Sequence, residues 1–158
     1  MPRLTWLPLA VSRLLLDRLM RFVMLRHPAL FARMGDSSGA RILIAPLELP
    51  LSMLMTANNE HPGLRLYRRG HRPACDAMVS GQFLTLFSLI EGQIDGDAVF
   101  FTRELSITGD TEAIVRLRNC LDDLEYPITN DIAEFFGEPG HRIVEYLRDA
   151  GNTVARSA

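Results

Sequence analysis

The spacing of the apolar residues changes near residue 40, and this change limits the chain to folds that combine helices with a sheet. Before it, Arg13, Asp17 and Arg21 recur at every fourth position and form one polar stripe on a helix expected over residues 8–33. Pro28 is expected to break or kink this helix. After it, residues 42–44 form a short apolar strand, and every second residue from Leu47 to Met55 is Leu or Met. That alternation is typical of a half-buried strand. The chain is therefore expected to be an α+β protein.

Weaker patterns of the same two kinds complete the predicted fold. Further elements are strands at 64–68, 75–80 and 105–108 and helices at 82–91, 111–126 and 141–150. In the helix at 111–126, Asp110 is the expected N-cap, and Arg118 and Asp122 are expected to pair at i, i+4. Strands in a meander with flanking helices give an α+β domain, a sheet of about five strands covered by helices. We divide the chain into an N-terminal amphipathic basic helix (1–34), a sheet-containing domain (35–151) and a disordered tail (152–158).

The composition fits one domain with apolar residues to spare. Hydrophobic residues make up 47% of the 158 residues, and the mean hydropathy is +0.07. This surplus can line a cavity or face a membrane. Cys75 and Cys120 form no spaced framework, so two reduced thiols are expected. The net charge of −2 hides an asymmetry, because the chain through Arg72 has a balance of +7 and the remainder one of −9.

The first helix is open to two interpretations. A signal peptide needs an uncharged apolar run before a small-residue cleavage site. Here Arg13, Arg18 and Arg21 interrupt the apolar residues, so a signal peptide is not expected. No stretch reaches the roughly 18 apolar residues of a spanning helix. We expect a cytoplasmic protein and leave peripheral contact with the inner membrane open. In the first interpretation, the helix packs on the sheet or on a second copy of the chain, as a homodimer. In the second, it lies on an anionic membrane surface.

Three other motifs have simpler explanations than catalysis or metal binding. Residues 35–39 match the G-x-S-x-G pattern, but a helix precedes them and a strand follows, the reverse of a hydrolase elbow. His61, His71 and Cys75 have no zinc-site spacing, so no metal is expected. The cluster of cations at residues 65–72 is a solvated hairpin surface or a contact for lipid headgroups or an acidic partner. Nucleic acid is not an expected partner, because Tyr67 is the only aromatic residue nearby.

One segment resembles a known family. Its residues are Phe100-Phe101-x-Arg103-x-Leu105-x-Ile107-x-Gly109-Asp110-Thr111-Glu112, followed by a helix with Asn119, Asp122 and Asp123. This pattern is similar to the C-terminal signature of SCP2-type (sterol carrier protein 2) lipid-binding domains, and the resemblance extends over about 41–126. Within the family the chain most resembles the UbiT-type bacterial accessory factors of ubiquinone biosynthesis. Glu104 stands where close relatives often carry a second basic residue.

The resemblance implies a protein that holds a lipid and transforms nothing. It would bind an isoprenoid quinone precursor or a phospholipid, need no cofactor, and present its ligand to hydroxylating enzymes, with UbiU and UbiV as partners in the oxygen-independent branch. The alternatives are a general phospholipid or fatty-acyl carrier and a small hydrolase or acyltransferase. Arg103 is expected at an ion pair or at the cavity mouth. The residues expected to wall the apolar cavity are Met53, Met55, Phe83, Leu86, Phe87, Ile90, Phe100, Leu105, Ile107, Leu117 and Leu121.

Overall fold

The computed structural model describes residues 9–93 and 103–157. These residues form one five-stranded sheet and five α-helices. The helices are α1 (Leu9–Arg26), α2 (Phe83–Ile90), α3 (Thr111–Asp122), α4 (Thr129–Phe136) and α5 (Glu138–Ser157). The strands are β1 (Ala40–Pro46), β2 (Leu51–Ala57), β3 (Gly63–Arg68), β4 (Ala77–Gly81) and β5 (Leu105–Gly109). A short 3-10 helix, Ala32–Ser37, joins α1 to the sheet. The predicted α+β class is confirmed.

The strand order corrects the predicted meander. The order is β3-β2-β1-β4-β5, and β1 lies parallel to β4 while all other neighbours are antiparallel. A meander would place β4 beside β3. The chain instead crosses the sheet after β3 and returns on the far side of β1, so that the first strand becomes the central one.

Several element boundaries also differ from the sequence pattern. α1 ends at Arg26, two residues before Pro28, because the residue before a proline is disfavoured in a helix. β2 begins only at Leu51, since the prolines at 46 and 50 bracket a bend. No helix was predicted over residues 129–136, where the structure has α4. α5 continues to Ser157, so most of the tail expected to be disordered over 152–158 is helical.

The core lies between one face of the sheet, here called the inner face, and the helices. Ile42 on β1 is fully buried and packs with Leu19 and Val23 of α1 and with Ile114 and Leu117 of α3. The first helix is therefore part of the core, as one of its two interpretations expected. Among the described helices, none has the length and apolar character needed to cross a membrane.

A cluster of charged side chains, here called the Asp131 clasp, fixes the end of α1 to α4. The Asp131 side chain is fully buried, and its two oxygens contact Arg26 Nη1 at 3.2 Å and His27 Nε2 at 2.7 Å. Arg26 also makes two 2.6 Å bonds to the carboxylate of Glu134 and lies over the ring of Phe22. This clasp joins segments that are far apart in the sequence, because Arg26 and His27 precede their partners on α4 by more than 100 residues.

The Glu134 carboxylate should give the clasp a pH dependence. Its hydrogen bonds from Arg26 lower the pKa of Glu134 from its ordinary value. A lowered pKa in the folded state means that the carboxylate adds stability above the unfolded pKa of about 4.3 and loses it as the pH falls through the folded pKa. Urea unfolding of E134Q should show lower stability than the wild type at neutral pH and a shrinking difference in acid. A difference that grows on acidification would contradict this.

Candidate functional site

Five apolar side chains form a continuous line across the inner face of the sheet. Register pairs Leu66 of β3 with Met53 of β2, Met53 with Ile44 of β1, Ile44 with Val79 of β4, and Val79 with Ile107 of β5. Cross-strand partners share a face, so these residues stand side by side. We call Leu66, Met53, Ile44, Val79 and Ile107 the inner row. Four strand spacings of about 4.8 Å give it a length of about 19 Å.

The inner row is only half-buried, although it lies on the face that the helices cover. Every one of its five residues is intermediate in exposure. The neighbouring line of the same face differs sharply: Ile42 is 0% exposed and its partner Ala77 only 1%. The inward side chains of a central strand are expected to be sealed in a close-packed interior. The sheet and helices are therefore tightly packed at Ile42 and more open at Ile44.

The walls beside the inner row come from α2 and α3. Leu86 of α2 and Leu105 of β5 are buried together, with Leu89 against them. Leu117 of α3 is buried in the main core, where Leu121 is half-buried. Ile44 and Val79 pack against both groups, so the middle of the row lies where the two walls meet.

Polar contacts at both ends hold α2 in place. At its start, the Phe83 backbone N–H donates to Glu48 Oε2 at 2.9 Å. At its end, the nearly buried carboxylate of Glu91 accepts from Arg148 Nε at 2.7 Å and from the Thr129 hydroxyl. This wall is thus tied to the loop before β2 and to α4 and α5.

The wall of α3 is fixed by the caps of its first turn. Asp110 Oδ1 accepts from the Ala113 N–H at 3.2 Å, which confirms the predicted N-cap. Arg116 bonds to Glu112 and donates to the Met34 carbonyl at 2.8 Å. The predicted pair of Arg118 with Asp122 is present at 3.4 Å.

The residues expected to wall a cavity fall into three groups. Met53 and Ile107 belong to the inner row, and beside it or in the adjoining core lie Met55, Leu86, Leu105, Leu117 and Leu121. Phe87 is buried elsewhere, with Ala133 and Val144 under α4 and α5; Phe83 pairs with Phe87, and Ile90 is half-buried at the end of α2. Phe100 lies outside the described residues. A lining role for these residues stays a prediction.

Sequence reasoning missed Leu66, Ile44, Val79 and Leu89. Each was already within a predicted strand or helix, but only the register between strands shows that three of them continue the line of Met53 and Ile107. Periodicity places a residue on a face, whereas strand pairing decides which residues become neighbours.

The inner row offers no chemistry beyond apolar contact. It contains no titratable group, and burial raises the pKa of the nearby core thiol Cys120, which keeps it a poor nucleophile. Ser37 lies in the short 3-10 helix that precedes β1, not on a strand-to-helix elbow. Within residues 9–93 and 103–157, no group of three His, Cys, Asp or Glu side chains is placed to hold a metal ion.

Two open grooves flank α1. The first, of about 420 Å³, is lined by Ser12, Arg13, Arg65, Leu66, Tyr67, Arg68 and His71. The second, of about 540 Å³, is lined by Asp17, Met20, Arg21, Met24, Leu25, Asn59, Glu60, His61 and Pro62. α1 thus runs antiparallel to β3, with its start near Arg68 and its end near the β2–β3 turn.

Comparison with known proteins gives a consistent picture. Residues 34–122 match the model of the SCP-2 sterol transfer family. A solved structure described as a UbiJ-SCP2 ubiquinone synthesis protein is similar, with 17% identity, coverage of 75% of this chain and 93% of that one, and a TM-score of 0.55. The apo form of sterol carrier protein 2 from Yarrowia lipolytica is 14% identical, with coverage of 75% and 94% and a TM-score of 0.51. No curated protein matches the chain.

Proposed function

The chain belongs to the SCP-2 sterol transfer family, and from that premise we propose that it is a non-enzymatic carrier that holds the apolar tail of a lipid along the inner row. The observation that supports this most directly is the half-buried state of Ile44 and Val79 on central strands of the helix-covered face. A tail lying there would cover the apolar surface that the protein leaves open.

The energetics favour a long tail. Each buried methylene contributes about 0.8 kcal/mol. Association costs on the order of 4–15 kcal/mol, so about a dozen methylenes or more are needed for firm binding. A row of about 19 Å offers contact for a chain of that size. An isoprenoid or acyl tail therefore fits better than a compact metabolite.

For the ligand, we propose an isoprenoid quinone precursor that the protein presents to the hydroxylating enzymes of ubiquinone synthesis. The support is the similarity of the segment from Phe100 to Glu112 to UbiT-type factors, which also suggests UbiU and UbiV as partners and the oxygen-independent branch. The similar ubiquinone synthesis protein supports the fold alone, given its 17% identity. The Met53 and Met55 side chains suit this ligand, because flexible thioethers adapt to irregular apolar shapes.

The outer face of α1 is proposed as a peripheral membrane contact. Val11, Leu14 and Leu25 are 48%, 57% and 83% exposed, and Arg18 and Arg21 lie exposed beside them. Apolar side chains flanked by cations suit an anionic membrane surface, where each cation adds about 1 kcal/mol. A second copy of the chain is the alternative occupant, and sedimentation with and without anionic vesicles separates the two.

Lipid extraction tests the proposed ligand. Protein purified under mild conditions is extracted with organic solvent, and the extract is analysed by mass spectrometry. We expect an isoprenoid quinone precursor at near-stoichiometric yield. Recovery of phospholipid alone would favour the general carrier over the quinone assignment, and an empty protein would count against a carrier.

Deletion of the gene tests the pathway. Cells without the protein should lose ubiquinone when grown without oxygen and keep it when grown with oxygen. Re-expression with Ser37 or any of the four histidines changed to alanine should restore ubiquinone. Failure of one of these folded variants to restore it would support the enzymatic alternative.

A further inference from the structure

The last helix, α5, has apolar residues on two sides, and one of these sides is fixed against the protein. On that side Val144 is buried together with Ala133 of α4. Two glycines bring α5 close to its neighbours. A Cβ at Gly140 would lie 2.5 Å from the Ala133 carbonyl oxygen, and a Cβ at Gly151 would lie 2.7 Å from Ser88 Oγ of α2. The orientation of α5 is therefore determined by close contact with α2 and α4.

The second apolar side of α5, here called the α5 stripe, faces away from the protein. It consists of residues spaced three or four apart, which places them on one face of the helix: Ile143, Tyr146, Ala150 and Val154. Tyr146 is 73% exposed and Ile143 60%. Burial of an apolar side chain of this size contributes about 1.5–3 kcal/mol. A continuous exposed apolar face of this kind marks an interaction site.

The charges of α5 favour a protein over a membrane as the partner of the α5 stripe. The exposed charged side chains of the helix are Glu138, Arg142, Glu145, Asp149 and Arg156. Acids outnumber arginines among them, whereas an anionic membrane surface attracts segments rich in cations. The cations that suit such a surface lie on α1 and not on α5.

Arg142 and Asp149 make one edge of the α5 stripe complementary to itself. They are seven residues apart, which is almost two full turns, so both lie on the same flank of the stripe. When two copies of a helix pack antiparallel about a two-fold axis, the same flank of each copy meets. Tyr146 lies close to the midpoint of the two charged residues. An axis at Tyr146 therefore places Arg142 of each copy beside Asp149 of the other.

A parallel pair of helices would not give this match. In that arrangement the flank that carries Arg142 and Asp149 meets the opposite flank of the second copy. The opposite flank holds Leu147 and Gly151, which are uncharged and turned toward the protein. The charge pattern thus selects the antiparallel arrangement, and the 20 residues of α5 provide a contact up to about 30 Å long.

We propose that the α5 stripe binds a second copy of this chain, with the two α5 helices antiparallel across a two-fold axis at Tyr146. In this dimer Tyr146 packs against its own copy, Ile143 packs against Ala150 of the other chain, and Arg142 and Asp149 pair twice. An apolar centre with a charged edge is the usual composition of such an interface. The inference goes beyond the proposed carrier function, because the contact needs no ligand and uses no residue of the inner row.

Sedimentation velocity of the full-length protein, from nanomolar to high micromolar concentration, tests the dimer. We expect the wild type to associate to a dimer and Y146E to raise the dissociation constant at least about tenfold, since it places two carboxylates at the axis. The control L25E puts the same charge on the exposed end of α1 and should leave the dissociation constant unchanged. Circular dichroism verifies that each variant is folded.

Three outcomes of the sedimentation experiment would overturn the proposal. One is a wild type that stays monomeric at every concentration. Another is a dimer that L25E dissociates and Y146E does not, which would place the contact on α1. The third is a monomer whose α5 amides gain protection from hydrogen exchange only when anionic vesicles are added, which would identify a membrane as the occupant.

Charge reversal tests the antiparallel arrangement. R142D and D149R each oppose like charges twice across the axis, and each should weaken the dimer at least about tenfold. The double variant R142D/D149R restores opposite charges and should bring the dissociation constant back close to that of the wild type. A double variant that associates as weakly as the single variants would contradict this arrangement.

Cross-linking through single cysteines locates the axis. In a C75S background, where Cys120 is buried, Y146C should oxidise to a covalent dimer, because a two-fold axis brings this residue beside its own copy. The matched control E145C is one residue earlier but lies about 100° around the helix, off the stripe, and should stay uncrosslinked. Equal cross-linking of the two variants, or none in Y146C, would overturn the proposal.

Discussion

Replacement of Ile44 by tryptophan should leave the protein folded and remove most of its bound lipid. Ile44 is the middle residue of the inner row and packs against both walls. Its half-buried position gives the indole room along the row, so the cost of overpacking should stay near the low end of about 1–3 kcal/mol. The indole would displace about four methylenes of the tail, worth about 3 kcal/mol or on the order of a hundredfold in affinity. Extraction and mass spectrometry measure the loss.

Ala45 provides the matched control for I44W. It is the next residue of β1 and is also half-buried, but its side chain lies on the opposite face of the sheet. A45W therefore adds a larger volume at almost the same place in the chain without entering the inner row. We expect it to retain its lipid. Equal lipid content in wild type and folded I44W, or equal loss in I44W and A45W, would show that the tail does not lie along this row.

Removal of the Asp131 carboxylate should lower the free energy of unfolding strongly, and more than removal of the Glu134 carboxylate. An Asp131→Ala variant leaves Arg26 with one acidic partner and removes the carboxylate oxygen that His27 Nε2 contacts. Breaking a buried ion pair on one side costs about 3–5 kcal/mol, and we expect about 3 because Arg26 keeps Glu134 and reaches water. Urea unfolding followed by circular dichroism gives the free energy of unfolding.

Hydrogen exchange locates the effect of D131A. Because the Asp131 clasp joins α1 to α4, amides in the last turns of α1 should exchange faster in the variant than in the wild type. E134Q is the control, since it changes the exposed arm of the same clasp and should cost less. A loss below about 1 kcal/mol in D131A, or unchanged exchange in α1, would mean that the clasp does not hold this helix.

Local patterns predicted the elements that local forces determine. The cap at Asp110, the break of α1 before Pro28 and the strand at β3 follow from capping, proline sterics and alternation, and all are present. The resemblance carried by residues 100–112 predicted the family. α4 was missed because it is only eight residues long, and its large apolar residues are confined to Ile132, Phe135 and Phe136.

The candidate site was less accessible to sequence reasoning, because it depends on long-range pairing. The parallel contact of β1 with β4 brings Ile44 beside Val79, and no local pattern in the chain specifies that register. The same holds for Leu66, whose place at the β3 end of the inner row follows from strand order. Phe83 and Phe87 show the converse, since the breadth of the apolar arc of α2 concealed that Phe87 packs toward α4 and α5.

The position of the tail can be measured directly by methyl NMR with a spin-labelled fatty acid whose nitroxide sits midway along the chain. The account predicts strong broadening of the methyl signals of Ile44, Val79 and Ile107. Leu43 and Leu54, which belong to the opposite face of the same strands, should broaden much less. Broadening that is absent from the inner row, or that is strongest at Leu14 and Leu25 on the outer face of α1, would contradict the central claim that the lipid lies between the sheet and the helices.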